Sequence, residues 1–410
     1  MILLMTTDPP KESPWGLGRR FPPLGLSYVA GALVKAGYQV EMLDNYLLKK
    51  PIGEVKEIVK RLSPQIVGIT CGSVTFSRCI ETAKAVKAVL PSCKVVVGGW
   101  HPSYLPESLL QHPEIDYVIM GEGERAIVEL TECIVKGVDD SGISKISGLA
   151  YRKEKNFVKN APDLINNLDD VPFPARKKIW GSKCRAFSAP RVVEELNILV
   201  SEYGTKGIYF VGDNFTINKK RTIELCNAIK KEKLDLQWVC DTRVDLISRD
   251  LVKEMKTAGC RTIWFGVESG SARVLKKINK QITLQQALAA FKLCKEEDVR
   301  TASSFMLGLP GETVEDMKAT YKFARKLDPD WVRFNIFVGY PGSDLYDEIK
   351  EKGLYERVED YVLLVKTPDF DYELVEKIQR SFHKNFNRSF KRIIRTIRRD
   401  GFLNVLRRNI

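Results

Sequence analysis

Short runs of Val, Ile and Leu alternate along this chain with longer stretches whose apolar residues recur every three or four positions. In the first part the runs are Ile2–Met5, Gln39–Leu43, Ile66–Cys71, Lys94–Val97 and Tyr117–Met120. Helical patterns cover Leu24–Ala36, Gly53–Leu62, Arg78–Leu90 and the stretch from Gly123 to about Val135. Apolar strands separated by amphipathic helices predict a parallel sheet covered on both faces, a doubly wound Rossmann-like domain. Gly148–Asn160 alternates as a β-hairpin, and the prolines of Leu168–Pro174 mark a linker. Strands are then predicted near Gly207–Val211, Gln237–Cys240, Thr262–Gly266, Arg300–Leu307 and Val332–Val338. Helices fall near Ala189–Glu202, Lys219–Lys231, Ser248–Ala258, Ser271–Lys277, Thr283–Glu297 and Thr313–Leu327. Repeated βα units without reversal predict a partial or complete barrel. The expected division is residues 1–145, a hairpin and linker over 146–180, a barrel over 181–345, and a helical basic region over 346–410.

Unusual residues collect where these strands end, which is where α/β folds bind ligands. In the first half the ends read Cys71-Gly72-Ser73-Val74-Thr75, Gly98-Gly99-Trp100-His101-Pro102 and Gly121-Glu122-Gly123-Glu124. Glycine lets a bulky ligand approach the backbone, and Ser or Thr bonds its polar edge; each turn is also ordinary α/β turn chemistry. In the second half the ends carry Gly212-Asp213-Asn214, Asp241-Thr242-Arg243-Val244-Asp245 and Gly266-Val267-Glu268-Ser269-Gly270. They continue with Gly308-Leu309-Pro310-Gly311-Glu312-Thr313 and Tyr340-Pro341-Gly342-Ser343.

Composition narrows the class. The chain has 410 residues, 44% hydrophobic, and no apolar run approaches a membrane span. The first residues read as a strand rather than a signal segment. Nine scattered cysteines fit a reduced, cytoplasmic setting and not a disulfide scaffold. The net charge is +13, but Lys384–Ile410 holds nine Lys or Arg against Asp400, so that segment carries +8 and the remainder +5. The body is therefore not expected to bind nucleic acid.

The first-half motifs, with Pro22-Pro23-Leu24-Gly25-Leu26 opening the first helix, resemble the cobalamin-binding domain of B12-dependent radical SAM (S-adenosylmethionine) proteins. The second-half motifs, one per strand and in order, resemble the radical SAM barrel of the Elp3/MiaB/NifB-like type over about residues 186–345. The resemblance implies cobalamin, S-adenosylmethionine and a 4Fe-4S cluster as cofactors. It places Ser73, Thr75, Gly98, Gly99, Gly121 and Glu122 around cobalamin. It places Asp213 and Asn214 near the SAM methionyl group, Arg243, Glu268 and Ser269 on SAM polar atoms, and Gly308 and Pro310 by the adenine. It implies SAM-derived radical chemistry, with methyl transfer or modification of a ring, lipid or tetrapyrrole as the outcome.

Two departures stand beside the match. The Asp-x-His-x-x-Gly motif of other cobalamin proteins is absent, and His101 reads as a turn residue rather than a cobalt ligand. The Cys-x-x-x-Cys-x-x-Cys loop that holds three irons of the cluster is absent too. Arg176–Trp180 runs directly into Gly181–Ala186, where the family has its first barrel strand and cysteine loop. Deletion, gene-model error and gene decay all stay open. Cys71, Cys79, Cys93, Cys184, Cys226, Cys240, Cys260 and Cys294 read as isolated reduced thiols, and His101, His112 and His383 suggest no metal site. A barrel without its first strand leaves Gly207–Val211 as an open edge, which predicts a dimer or low solubility.

Phe382, Phe386, Phe390, Ile393 and Ile397 form a helical stripe flanked by Lys and Arg. It serves either peripheral membrane contact or, the favoured reading, packing on the barrel. The functional expectation is a cobalamin-dependent radical SAM family member lacking the means for SAM cleavage. Alternatives are a non-catalytic cobalamin- or SAM-binding protein, a partner of an intact paralogue, and, least, a nucleotide-sugar transferase.

Overall fold

The computed structural model describes residues 1–7, 23–138, 140–154, 156–163, 165, 186–211 and 214–387. The junction 176–185, Cys184, Gly212, Asp213 and the tail from 388 onward lie outside the described residues. The chain divides into two compact units. The first comprises Met1–Arg191, Tyr340–Asp347 and Val358–Val362; the second comprises the rest.

The first unit is built on a seven-stranded sheet. Its strands are β1 (Ile2–Thr6), β2 (Val40–Asp44), β3 (Ile66–Thr70), β4 (Lys94–Gly98), β5 (Tyr117–Ile119), β6 (Leu149–Lys153) and β7 (Asn156–Lys159). Their order is β2-β1-β3-β4-β5-β6-β7, parallel except for the antiparallel β6 and β7. Strand alternation sends Leu3 and Met5 to one face, with Val55, Val59, Ile80 and Val86 from helices, and Ile2 and Leu4 to the other, with Leu33, Ile127 and Leu130. Both faces are thus covered, as the unbroken apolar strands predict. The hairpin expected between the domains is instead the antiparallel margin of this sheet: Tyr117 pairs with Tyr151, and Arg152 reaches back to the carbonyls of Leu110 and His112 at 2.7 and 3.1 Å. Local alternation reveals a hairpin but not the neighbour against which it pairs.

The second unit holds a five-stranded, all-parallel sheet of β8 (Gly207–Phe210), β9 (Gln237–Thr242), β10 (Cys260–Glu268), β11 (Arg300–Leu307) and β12 (Trp331–Ile336). Strands neighbouring in sequence neighbour in space, in the order β12-β11-β10-β9-β8, the arrangement of an incomplete (β/α) barrel. Thr283 and Thr313 open the helices Leu284–Glu296 and Val314–Leu327 with reciprocal capping boxes to Gln286 and Asp316. The helix Tyr372–Asn387 covers β12: Phe382 and Phe386 pack near Phe334, and Gln379 bonds the Phe334 carbonyl at 2.9 Å. The described part of the aromatic stripe is therefore a packing face, while Phe390, Ile393 and Ile397 lie outside the described residues. The C-terminal region is not purely helical. It adds β13 (Val338–Gly339), β14 (Tyr355–Glu359) and β15 (Val362–Val365), with order β13-β15-β14. Among the described residues no helix is long and apolar enough to cross a membrane.

At the opposite margin, β8 pairs only with β9 among the described residues. Unpaired strand edges recruit further strands, so association of two copies through Gly207–Phe210 is expected. Sedimentation velocity over a concentration series should show a dimer, with amide exchange at these residues slowing as it forms. A monomer at all concentrations with fast-exchanging β8 amides would defeat the expectation.

Candidate functional site

At the carboxyl edge of the first sheet, His101 is 1% exposed and bonded on both ring nitrogens. Nε2 lies 2.8 Å from Ser108 Oγ, and Nδ1 lies 3.1 Å from Ser73 Oγ. Ser108 Oγ donates to the Leu105 carbonyl at 2.7 Å, so it accepts from Nε2–H. Nδ1 is then bare and accepts the Ser73 proton, which leaves the Ser73 oxygen's lone pairs as acceptors. Burial lowers the His101 pKa to about 4, keeping the ring neutral. The ring packs against Phe76 and Tyr361, each with its centroid 4.8 Å away, and those two rings meet at 4.9 Å. Tyr361 and Asp360, which bonds Ser77, form the left-handed tip of the β14–β15 hairpin. The sequence reading makes His101 a turn residue; the structure places it in the short helix Trp100–Tyr104, buried and bonded to Ser73 and Ser108.

The neighbouring turns are stitched together. Ser103 Oγ donates to the Gly99 carbonyl at 2.8 Å and accepts from Gly121 N at 2.9 Å. Gly99 has φ +116°, and a Cβ there would meet the Cys71 carbonyl at 2.8 Å, so only glycine fits. Thr75 Oγ1 is used within its own turn, accepting from Gly72 N at 3.0 Å and donating to Gly72 O. Glu122 accepts from Ile165 N at 2.8 Å. Gly98 sits at the end of β4, and Trp100 beside it is 60% exposed. Thr7 Oγ1, at the end of β1, is buried without a hydrogen-bond partner.

The carboxyl edge of the second sheet brings Asn214, Arg243, Glu268 and the Gly308–Glu312 loop together. Asn214 Oδ1 is buried without a partner. Arg243 is fixed by Asp245 through two bonds of 2.9 Å. Glu268 has φ +68°, where β10 slips register against β11, and it accepts from Lys280 at 2.8 Å. A non-glycine residue held there is a mark of function or strain. Gly266 admits that folded-back carboxylate, since a Cβ would lie 2.7 Å from Glu268 Oε1. Ser269 is fully buried; its hydroxyl meets Thr320 at 3.1 Å and accepts from Ser271 N, so it secures the turn. Gly308, with φ +82°, and Pro310 lie in a buried loop beneath Val375 and Phe370. Glu312 Oε2 accepts from Gly308 N and Leu309 N at 2.7 and 3.1 Å, while Oε1 is buried and unpartnered. Burial raises the Glu312 pKa to about 7. Asp213 lies outside the described residues.

Comparisons with known proteins match the same two regions. The B12 binding domain family matches residues 17–131, and the Radical SAM superfamily matches residues 173–324. An uncharacterized methyltransferase of Pyrococcus horikoshii is 34% identical, over 97% of this chain and 95% of its own length. The chain belongs to the radical SAM proteins that carry a B12-binding domain. An anaerobic magnesium-protoporphyrin IX monomethyl ester cyclase of Rubrivivax gelatinosus is 27% identical, over 90% of this chain and 75% of its own. The radical SAM methyltransferase TsrM of Kitasatospora setae, solved with cobalamin and a 4Fe-4S cluster, shares the fold with TM-score 0.71 at 18% identity, over 90% of this chain and 79% of its own.

The B12-binding and radical SAM domains are those that hold cobalamin, S-adenosylmethionine and a 4Fe-4S cluster in this family. The two strand-end edges fit the first two groups. Among the described residues, each offers buried side-chain oxygens without a hydrogen-bond partner, Thr7 in one and Asn214 and Glu312 in the other. The cluster finds no such fit: among the described residues no three Cys, His, Asp or Glu side chains are grouped for a metal. Folding does gather thiols that the sequence keeps apart. Cys240 is raised by burial and by its bond to Cys260, with Cys226 also near. All three thiols are buried, and burial raises Cys240 and Cys226, the opposite of what a ligating thiolate needs. The Pyrococcus horikoshii alignment runs over 440 positions while including 97% of this chain, about 398 residues. About 42 positions of that alignment thus have no residue of this chain.

Sequence reasoning passed over Lys280, the bonds of Glu312 and the Tyr361 lid on His101. Glu312 carried a signal, an acid four residues after a glycine in a turn. Tyr361 carried none.

Proposed function

We propose that the chain binds cobalamin at Ser73, Gly98 and Gly99 and S-adenosylmethionine at Asn214, Arg243, Glu268 and Gly308–Glu312, as a member of the methyltransferase branch of its family. The observation that carries this is the match to a methyltransferase along nearly the whole of both chains. Bound cobalamin would supply a transferable methyl group and S-adenosylmethionine its source. The residues of this chain orient and desolvate those groups. Ser73 presents an acceptor, Glu268 and Asn214 present acceptors at the barrel edge, and the Glu312-braced loop forms an apolar shelf. With no grouped thiols among the described residues, the reading is that the chain alone does not cleave S-adenosylmethionine to 5′-deoxyadenosine and that radical catalysis requires the absent segment or a cluster-bearing partner. An intact paralogue is the partner of matching chemistry.

Anaerobic reconstitution with iron and sulfide, followed by titration with hydroxocobalamin and S-adenosylmethionine, tests this. One cobalamin and one S-adenosylmethionine per chain, little iron and no 5′-deoxyadenosine are expected. About four irons per chain with 5′-deoxyadenosine formed would show that dispersed cysteines suffice and overturn the non-cleaving reading. Failure to bind either cofactor would overturn the assignment itself.

A further inference from the structure

Alternate residues of a strand face opposite sides of a sheet, and contacts settle which side of the five-stranded sheet the helices cover. Phe265 packs on Phe291, Phe305 stacks on Phe334, and Phe334 meets Phe382. Trp238 bonds the Ala258 carbonyl at 2.7 Å and meets Phe210. Their strand neighbours face the other way. That inner face carries Tyr209, Asp241, Trp264, Ser304 and Arg333, one from each strand of β8–β12. Register confirms the set: Trp264 pairs with Asp241, and Ser304 pairs with Arg333.

The helix-covered face carries aromatic rings; on the inner face Arg333 is exposed and Tyr209, Asp241, Trp264 and Ser304 are half-buried. Tyr209 Oη donates to both Asp241 oxygens, at 2.7 and 2.9 Å. Arg333 is exposed, and its guanidinium lies over the Trp264 ring, 5.1 Å from the centroid. Among the described residues it forms no ion pair. Its charge is felt across the face, where it opposes the upward shift of the Tyr209 pKa caused by burial and Asp241. The Asp241 carboxylate accepts from the Tyr209 phenol and forms no ion pair with Arg333. A stacked, pre-oriented guanidinium with free N–H edges is a fork for a planar or tetrahedral oxyanion.

We propose that this inner face is the substrate subsite, and that the substrate carries a carboxylate, phosphate or phosphonate group that docks on Arg333 while its body lies along Trp264 and donates to Asp241. The proposal rests on the reading that this unit binds S-adenosylmethionine at its strand ends, because that places the subsite within the barrel behind it. It makes the substrate a polar anion rather than a bare hydrocarbon.

The test uses the full chain and the probes phenylphosphonate, benzoate and the neutral benzamide, followed by ligand-observed NMR and tryptophan fluorescence. Phenylphosphonate and benzoate should bind in the millimolar range or better, and benzamide at least about tenfold more weakly. Arg333→Gln should lose the two anions at least about tenfold, and Arg333→Lys should retain part of the binding without the bidentate preference. In Arg333→Gln the melting temperature should match the parent within about 2 °C and the S-adenosylmethionine affinity within about twofold. Equal binding of benzamide, unchanged anion binding in Arg333→Gln, or no anion binding at millimolar concentration would each overturn the proposal. S-adenosylmethionine titrated separately distinguishes the two readings: its failure to bind the parent chain removes the cofactor assignment, whereas anion binding decides the subsite.

Discussion

Replacing His101 by alanine is expected to lower the melting temperature by about 10 °C and to weaken cobalamin binding by at least about tenfold. The ring is 1% exposed and packs against both Phe76 and Tyr361, so truncation leaves a cavity and costs about 3–5 kcal/mol. It also strips partners from Ser73 and Ser108. The Ser73 hydroxyl is then free to rotate, and its lone pairs no longer point in one direction. The cobalamin corrin bears amide side chains, donors that an oriented acceptor suits. Acid should reproduce part of the effect. His101 has an ordinary pKa of 6.5 lowered to about 4 by burial. Stability from the neutral ring is complete above 6.5 and is lost as pH falls from there through 4, by on the order of 3 kcal/mol. Melting curves and hydroxocobalamin titrations between pH 4 and 8 check both parts. His101→Ala should lack the parent's acid slope in this window. A variant that melts and binds as the parent does at pH 7.5 would remove His101 from the positioning of Ser73.

The fold was legible because its driving pattern is local. Val95, Val96 and Val97 must be buried on both sides, and only a sheet between two helical layers does that. The turns at Gly99 and Gly308 were legible because each requires a positive φ that glycine adopts without strain. Pairing was less legible. The hairpin Leu149–Lys159 declares itself by alternation, but its place beside β5 depends on a partner thirty residues away. The Tyr361 lid is more remote still: its contact with His101 joins parts of the chain some 260 residues apart, and nothing in either segment encodes the other. Candidate residues divided the same way. Glu268 and Asn214 stand at strand ends, where the alternation of strands and helices places them. Ser269, in the same motif as Glu268, turned inward to Thr320, because a motif fixes the backbone path before it fixes each side chain. Arg333 was written in the alternation Val332-Arg333-Phe334-Asn335-Ile336, which gives β12 one polar face, but sequence alone does not say what that face looks upon.

Glutamine at position 312 is expected to make the protein insensitive to alkali where the parent is sensitive. The Glu312 carboxyl is 1% exposed, and burial raises its pKa from 4.5 to about 7; Asp316 adds to the rise, while Arg273 and the two backbone N–H bonds oppose it. An acid whose folded pKa is raised stabilises fully below its unfolded value and loses that contribution as pH rises through the folded one. The loss therefore begins near 4.5 and continues through about 7, reaching on the order of 3 kcal/mol. Glutamine keeps the carbonyl oxygen for Gly308 N and Leu309 N but cannot ionise. Glu312→Gln should match the parent at pH 5, melt above it at pH 8, and hold S-adenosylmethionine within about threefold at both. Glu312→Ala removes the acceptor and strands two buried N–H groups, at about 1–3 kcal/mol each. With the Gly308–Gly311 backbone no longer braced, the shelf for the adenine loosens, and S-adenosylmethionine affinity should fall about tenfold or more. Paired melts and calorimetric titrations at pH 5 and 8 separate the two effects. Parallel pH slopes for Glu312→Gln and the parent would mean that Glu312 is ionised throughout, and that the loop is braced by a charge rather than by a neutral acid.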